Sequence, residues 1–150
     1  MKLLNFVYLG YSHSVLEYGA LALDWDIAYK DVQGHPRAAG THAKVLRLVR
    51  EKKLMPLMSA VSKMSYMPAK FLEENGVPQM AKKGRIQVGA DADIILFDPK
   101  SVTDNATIQK GGLPSTGIPY VIVNVTIVVK DSKVLKGVYP GQAIRNSILN

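Results

Sequence analysis

The sequence feature that most constrains the fold is the stretch Gly84–Asp98, GRIQVGADADIILFD. Its second half, Ile94–Phe97, is apolar at every position, which is typical of a strand covered on both faces. Its first half, Arg85–Val88, predicts another short strand, and the glycine on either side of it favours a turn. Pro99 then ends the second strand, because proline has no N–H to donate to a ladder. The stretch therefore predicts two short strands joined by a tight corner.

The length and composition of the chain exclude several classes of protein. The chain has 150 residues, of which 47% are hydrophobic and 21% charged, so it can bury a core and is not a disordered protein. It is too short for a complete (β/α)8 barrel, which needs at least about 200 residues. It contains no cysteine, which excludes disulfides and thiolate metal sites and fits the reducing cytoplasm. We therefore expect a globular, cytoplasmic protein.

The net charge of +7 raises the question of an acidic partner. Aromatic residues are sparse and no RNA-binding or DNA-binding motif accompanies the charge, so the basic residues are better explained as solvated faces than as a nucleic-acid surface. A membrane span needs about 20 mainly apolar residues, and the single candidate near the N-terminus contains His13 and Glu17. We expect neither nucleic acid nor a membrane as a partner.

The N-terminal part holds an acidic residue in a suggestive position. Gly19–Asp24 predicts a short buried strand that ends in a carboxylate, with Asp26 two residues further on. In a barrel, residues at the C-terminal ends of strands face the active site. From residue type alone, the simpler interpretation is that Asp24 or Asp26 caps a turn.

A second candidate site follows in the segment Gly34–Thr41, GHPRAAGT. Pro36 favours an extended conformation at His35, and Thr41 is a candidate N-cap for a helix over residues 42–54. The segment therefore predicts a rigid loop that presents His35 and Arg37. The planar guanidinium of arginine suits a carboxylate, although an arginine without a specific contact is the commoner case on a surface.

The C-terminal half predicts further strands and an unusual turn. Val121–Val123 and Thr126–Val129 are rich in β-branched residues, which favour strands. The two residues between them are Asn124 and Val125. A two-residue type I′ turn needs positive φ at both positions, which Val125 resists because of its branched Cβ. Either the turn is of a different type, or Val125 is a substitution or a sequence error at this position. We expect Val125→Gly to stabilise the protein.

Several of these motifs, in this order, resemble the metal-dependent amidohydrolase superfamily and, within it, the N-acyl-D-amino-acid deacylases (D-aminoacylases). The resemblance covers about Leu21–Arg145. It rests on the corner and strand of Gly84–Asp98, on an acid followed by His-Pro-Arg-x-x-Gly-Thr, and on three further segments: Ala60–Ala69, Asp104–Thr107 and Gly117–Tyr120. The acid departs from the family, which usually has Ser-Asp-Gly where this chain has Leu23-Asp24-Trp25. Dihydroorotase-like or hydantoinase-like cyclic amides remain alternative substrates, since those enzymes share the Gly84–Asp98 pattern.

The resemblance implies an α/β fold: the last strand and helices of a (β/α)8 barrel followed by part of a small β-sandwich. It places the barrel remnant and its linking helices in residues 1–83 and the sandwich portion in residues 84–150. A sandwich that lacks its other strands would expose edges, so an alternative function is a non-catalytic module for assembly and self-association.

The resemblance also implies zinc-dependent hydrolysis of the amide of N-acyl-D-amino acids. In that family Asp24, with Asp26 as the alternative, would be the proton shuttle beside the zinc and would bind the metal once the missing barrel is supplied. Arg37, with His35 beside it, would bind the carboxylate of the substrate. The histidines of this chain are His13, His35 and His42, and none is spaced as His-x-His. We therefore expect the chain by itself to bind no zinc and to be inactive.

Overall fold

The structure is a computed structural model that describes residues 2–5, 28, 31 and 35–145. Its described elements are one strand, then helices, then the remaining strands of an antiparallel sheet. In chain order they are β1 (Lys2–Asn5), α1 (Pro36–Lys52), α2 (Leu57–Met64), α3 (Tyr66–Glu74), a 3₁₀ helix (Pro78–Lys82), β2 (Ile94–Phe97), β3 (Tyr120–Val123), β4 (Thr126–Lys130) and β5 (Lys133–Val134). No helix in this part of the chain is both long and apolar enough to span a membrane.

The strands form one sheet in the order β1-β2-β3-β4-β5, with every neighbouring pair antiparallel. Strands β3 and β4 are joined by a two-residue hairpin, since Val123 lies opposite Thr126. Strands β4 and β5 are joined in the same way. The predicted strands at Ile94–Phe97, Val121–Val123 and Thr126–Val129 are therefore present in the structure.

The helix α1 begins six residues earlier than the sequence predicts. Thr41 is not its N-cap but lies in the first turns, and the cap is His35, whose Nδ1 accepts a hydrogen bond from the backbone N of Arg37 at 3.1 Å. Pro36 occupies the first helical position, where a missing N–H costs nothing and the fixed φ suits the helix. The predicted loop at His35–Arg37 is thus the start of a helix.

One hydrophobic cluster joins the helices to the sheet. Its buried members are Ala43 and Leu46 of α1, Val61 of α2, Phe97 at the end of β2, and Val102. Phe97 and Val102 are fully buried. Residues on both sides of Gly84 therefore share a core, while the division into 1–83 and 84–150 stays a prediction.

The corner at Gly84–Asp98 differs from the prediction in its first half. Arg85–Val88 forms no strand, and the side chains of Ile86 and Val88 are exposed. The backbone N of Asp91 instead donates to the carbonyl of Lys82 at 3.0 Å, which closes residues 82–91 into a loop. In β2 only Phe97 is fully buried and the other residues are half-buried, so the strand is less covered than expected.

The turn at Asn124-Val125 is a strained one. Both residues have positive φ, 46° and 67°, so Val125 occupies a conformation that a β-branched side chain disfavours. Tertiary contacts enforce it: the backbone N of Asn124 donates to Asp93 Oδ1 at 2.8 Å, and that of Val125 donates to the carbonyl of Ala92 at 3.3 Å. The side chain of Val125 is exposed, so it offsets little of the strain by packing.

Val125→Gly is expected to stabilise the protein by about 1 kcal/mol, because glycine adopts this φ without steric cost. Thermal unfolding should show a rise in Tm of about 2–4 °C. Val125→Ala is the matched control and should give less than half of that gain, since alanine keeps the Cβ. An unchanged Tm for Val125→Gly would contradict the assignment of strain to this turn.

The loop between β2 and β3 approaches itself closely at Gly117. Gly117 has φ +79°, and a Cβ at this position would lie 2.6 Å from the backbone N and Cα of Val102. Gly89 has a similar φ of +83°, but a Cβ there would have no neighbouring atom within 4 Å. Substitution of each glycine by alanine therefore separates two contributions to the loss of stability. The Gly89 variant reports backbone strain alone, and the Gly117 variant reports backbone strain together with a steric clash.

Gly89→Ala is expected to cost about 1 kcal/mol through its positive φ alone. Gly117→Ala should cost about 1–3 kcal/mol more, because the added methyl group collides with the backbone of Val102. Urea unfolding of the two variants measures the difference. Equal losses of stability would show that the loop relaxes freely around residue 117.

Candidate functional site

The candidate site lies at the N-terminal end of α1, where His35 and Arg37 come together. The hydrogen bond from the Arg37 N–H makes Nδ1 of His35 an acceptor, so a neutral His35 imidazole carries its proton on Nε2. His35 and Arg37 are both exposed. The two residues that the sequence analysis selected are therefore linked by a hydrogen bond.

The surroundings of Arg37 favour an anion. Within the part of the chain that the structure describes, no side chain accepts a hydrogen bond from its guanidinium, and the first turn of α1 contains no acidic residue. The N-terminal end of a helix carries a partial positive charge. A guanidinium fork, an imidazole N–H and this positive end are together suited to a carboxylate.

The loop after β2 contacts α1 at several points behind this site. Asp104 accepts hydrogen bonds from Arg47, at 2.6 Å from Nε and 3.4 Å from Nη2. Arg50 Nη1 donates to the carbonyl of Val102 at 2.7 Å. Ser115 Oγ donates to the carbonyl of Ala39 at 3.3 Å. The helix that carries Arg37 is thus held by the loop along most of its length.

The pair formed by Arg47 and Asp104 is charged near neutral pH. Burial raises the pKa of Asp104, but the hydrogen bonds from Arg47 and from the backbone N–H of Asp104, together with the charges of Arg47 and Lys44, outweigh burial, so the pKa of Asp104 lies below its usual value. Hydrogen bonds to Asp104 and to Glu51 raise the pKa of Arg47. The Arg47 and Asp104 side chains are 27% and 13% exposed, so the loss of either partner would leave a poorly solvated charge.

The described residues do not form a zinc site. No group of three or more histidine or acidic side chains in the described ranges could hold a metal ion. His42 lies half-buried on α1, and burial lowers its pKa. Asp24, to which the family resemblance assigns proton transfer and metal binding, and its alternative Asp26 lie outside the described residues, as does His13.

A cavity of about 290 Å³ lies at the opposite end of α1. Its lining is mainly apolar, with two cations at its edge: Leu46, Val49, Arg50, Lys53, Met55, Leu57, Phe97 and Pro99. It includes neither His35 nor Arg37 and offers no carboxylate or imidazole. It therefore contributes no group for hydrolysis.

Sequence reasoning missed the residues that hold the site from behind. Arg47 and Asp104 are 57 residues apart, and their pairing leaves no local signal. Asp104–Thr107 stood out as a family motif without an assigned role. Gly40, inside α1, was a further signal, because a glycine within a helix marks a close approach of another segment.

Comparisons with known proteins agree with the motifs. The model of the Amidohydrolase family matches residues 30–138. An N-acyl-D-glutamate deacylase of Alcaligenes xylosoxydans xylosoxydans is 43% identical over 95 residues, which are 63% of this chain and 18% of that protein.

Two solved structures extend this similarity to the fold. A D-aminoacylase studied for its binuclear metal center is 34% identical with a TM-score of 0.67, over 75% of this chain and 22% of that one. The N-acyl-D-glutamate deacylase from Bordetella bronchiseptica, complexed with zinc and a phosphonate inhibitor, is 42% identical with a TM-score of 0.57, over 63% of this chain and 19% of that one.

The similarity covers most of this chain but only a small part of each relative. The chain spans about one fifth of the length of these relatives. Residues 30–138 include His35, Arg37 and Asp104 as well as the corner at Gly84–Asp98. The predicted resemblance to D-aminoacylases is confirmed, and zinc is present in the structure of a relative. The chain belongs to the amidohydrolase family and is D-aminoacylase-like.

Proposed function

We propose that this chain is the C-terminal part of a zinc-dependent enzyme that hydrolyses the amide of N-acyl-D-amino acids. The observation that carries the proposal is Arg37, presented at the positive end of α1 within the segment that matches the family. The 43% identity to an N-acyl-D-glutamate deacylase supports this substrate class. The absence of cysteine supports a cytoplasmic location.

Arg37 is proposed to bind the carboxylate of the substrate. Its guanidinium offers two parallel N–H donors to the two carboxylate oxygens. The Nε2–H of His35 is available as a further donor, because Nδ1 is occupied by the backbone of Arg37. The pair would anchor the amino-acid end of the substrate and leave its acyl amide to the catalytic groups.

The remaining chemistry is assigned to residues outside the described ranges. Asp24, with Asp26 as the alternative, keeps the proposed role of proton carrier and of zinc ligand once the other ligands are supplied. The described residues do not form a zinc site by themselves, so the zinc ligands would have to come from outside the described ranges. The proposal therefore requires groups beyond those of this chain.

The proposed architecture follows the family. Residues 1–83 would be the end of a (β/α)8 barrel with its linking helices, and residues 84–150 would be part of a small β-sandwich. The antiparallel pairing of β2, β3, β4 and β5 and the likeness to D-aminoacylase structures support the sandwich portion of this arrangement.

A second candidate function is a non-catalytic module for assembly. Met67 and Phe71 lie one helical turn apart on α3 and are 51% and 64% exposed. Neighbouring large apolar side chains on a surface favour association. This observation supports self-association of the chain.

Measurements on the isolated 150-residue chain separate the two candidates. Supplied with zinc and N-acetyl-D-glutamate, the chain is expected to release no D-glutamate, because it has no His-x-His pair. Light scattering of the same sample gives its mass. A monomer without activity fits the first proposal alone, a discrete oligomer supports the second, and zinc-dependent release of the D-amino acid would show that the chain is a complete enzyme.

Arg37→Ala tests the substrate assignment in a hybrid enzyme. In this hybrid, residues 35–145 replace the matching segment of the Alcaligenes N-acyl-D-glutamate deacylase. The hybrid should hydrolyse N-acyl-D-amino acids, and Arg37→Ala should lower kcat/KM about 100-fold, since charged hydrogen bonds contribute about 1.5–3 kcal/mol. The loss should lie mainly in KM, because the carboxylate is bound equally in the ground state and the transition state.

Three controls accompany this variant. Arg37→Lys should retain part of the activity, because lysine keeps the charge and loses the fork. Arg145→Ala removes an exposed guanidinium elsewhere and should leave kcat/KM within twofold. N-acyl-L-amino acids should be poor substrates throughout. An Arg37→Ala hybrid with full kcat/KM would remove the carboxylate assignment.

A further inference from the structure

We propose that Asp104 is a positioning residue, which holds the first turns of α1 so that Arg37 meets the carboxylate of the substrate. Asp104 does not touch the substrate in this scheme and acts through the helix. The inference rests on the proposed function. It adds a residue from the loop after β2 to a site that lies on α1.

Asp104 lies against the start of the helix. A Cβ on Gly40 would be 3.1 Å from the Cβ of Asp104, so the absence of a side chain at Gly40 lets the loop lie directly on the helix. Gly40 is three residues after Arg37, which is about one turn. A shift of Asp104 would therefore displace the helical turn that presents the guanidinium of Arg37.

Arg47 fixes Asp104 in that place from two turns further along the helix. Helical side chains point back toward the N-terminus, so the guanidinium of Arg47 reaches toward Gly40 and there donates to both oxygens of Asp104. Arg47 also donates to Glu51 at 3.1 Å. The fork geometry of this pair defines both a distance and an angle between loop and helix.

A second contact reaches the same turn of α1 from the other limb of the loop. Thr103 and Thr116 form an isolated antiparallel bridge, with N–H···O distances of 3.1 and 3.0 Å. Asp104 follows Thr103, and Ser115, which donates to the carbonyl of Ala39, precedes Thr116. The two contacts with the first turns of α1 thus come from neighbours of one bridge, and the loop acts on the helix as a unit.

Hydrogen exchange on the isolated chain tests the link between loop and helix. In Asp104→Asn, the backbone amides of residues 40–42 should exchange about tenfold faster than in the unchanged chain. Asp131→Asn is the matched control, because it makes the same change at an exposed carboxylate in the hairpin between β4 and β5, where Asp131 accepts from Tyr120. It should leave these amides within twofold.

Two further variants provide the same test if Asp104→Asn does not fold. Arg47→Lys keeps the charge and loses the fork, and Ser115→Ala removes only the second contact. Both should speed exchange at residues 40–42 by a smaller factor. Unchanged exchange at these amides in a folded Asp104→Asn, or in both further variants, would overturn the inference.

Kinetics of the hybrid enzyme separate positioning from a general structural role. Asp104→Asn should raise KM for N-acetyl-D-glutamate about tenfold with kcat nearly unchanged. It should have little effect on the analogue whose α-carboxylate is an amide, and little further effect in an Arg37→Ala background, because coupled residues are not additive. Equal losses for both substrates, or additive losses with Arg37→Ala, would mean that Asp104 supports the fold only.

Different results would refute the proposed function and the role of Asp104. A hybrid that hydrolyses no N-acyl-D-amino acid while it folds and binds zinc would remove the proposed function and this inference with it. An active hybrid whose Asp104→Asn variant keeps its KM would leave the proposed function in place and remove the role of Asp104.

Discussion

Phe97 and Val102 are both fully buried against α1 and α2, and the placement of the other described elements depends on this contact. The four residues between them form a tight turn: the backbone N of Val102 donates to the carbonyl of Asp98 at 2.9 Å, and Ser101 Oγ donates to Asp98 Oδ2 at 2.7 Å. The chain leaves the sheet at Phe97 and returns to the core at Val102. The loop that follows therefore starts from a fixed point beside α1.

Polar contacts to α1 follow directly after Val102 in the chain. The carbonyl of Val102 accepts from Arg50, and Asp104, two residues later, accepts from Arg47. A similar arrangement organises the corner before β2, where Lys83 contacts Asp91 and Asp93 at 2.9 and 2.5 Å. Asp93 in turn accepts from the backbone of Asn124. In both places a partly buried ion pair fixes the distance and orientation of one segment relative to another. Apolar packing alone would leave that relative position less defined.

Local patterns predicted the elements whose reasons are local. The β-branched runs at Val121–Val123 and Thr126–Val129 form strands, and Val125 takes the positive φ that a two-residue turn between them requires. Two predictions were wrong because tertiary contacts prevailed. Arg85–Val88 has strand-like composition, yet the segment closes on Lys82. Helix α1 starts at Pro36 instead of after Thr41, since His35 caps it and the loop packs on Gly40.

The sequence by itself determined the family, the strands at Ile94–Phe97, Val121–Val123 and Thr126–Val129, and the joint presentation of His35 and Arg37, because these depend on residue types and short spacings. Only the tertiary structure decided that Arg37 begins a helix and that Asp104 and Ser115 reach that helix from a loop far along the chain. Contacts at such separations leave no periodicity in the sequence, because they arise when Phe97 and Val102 are buried against α1.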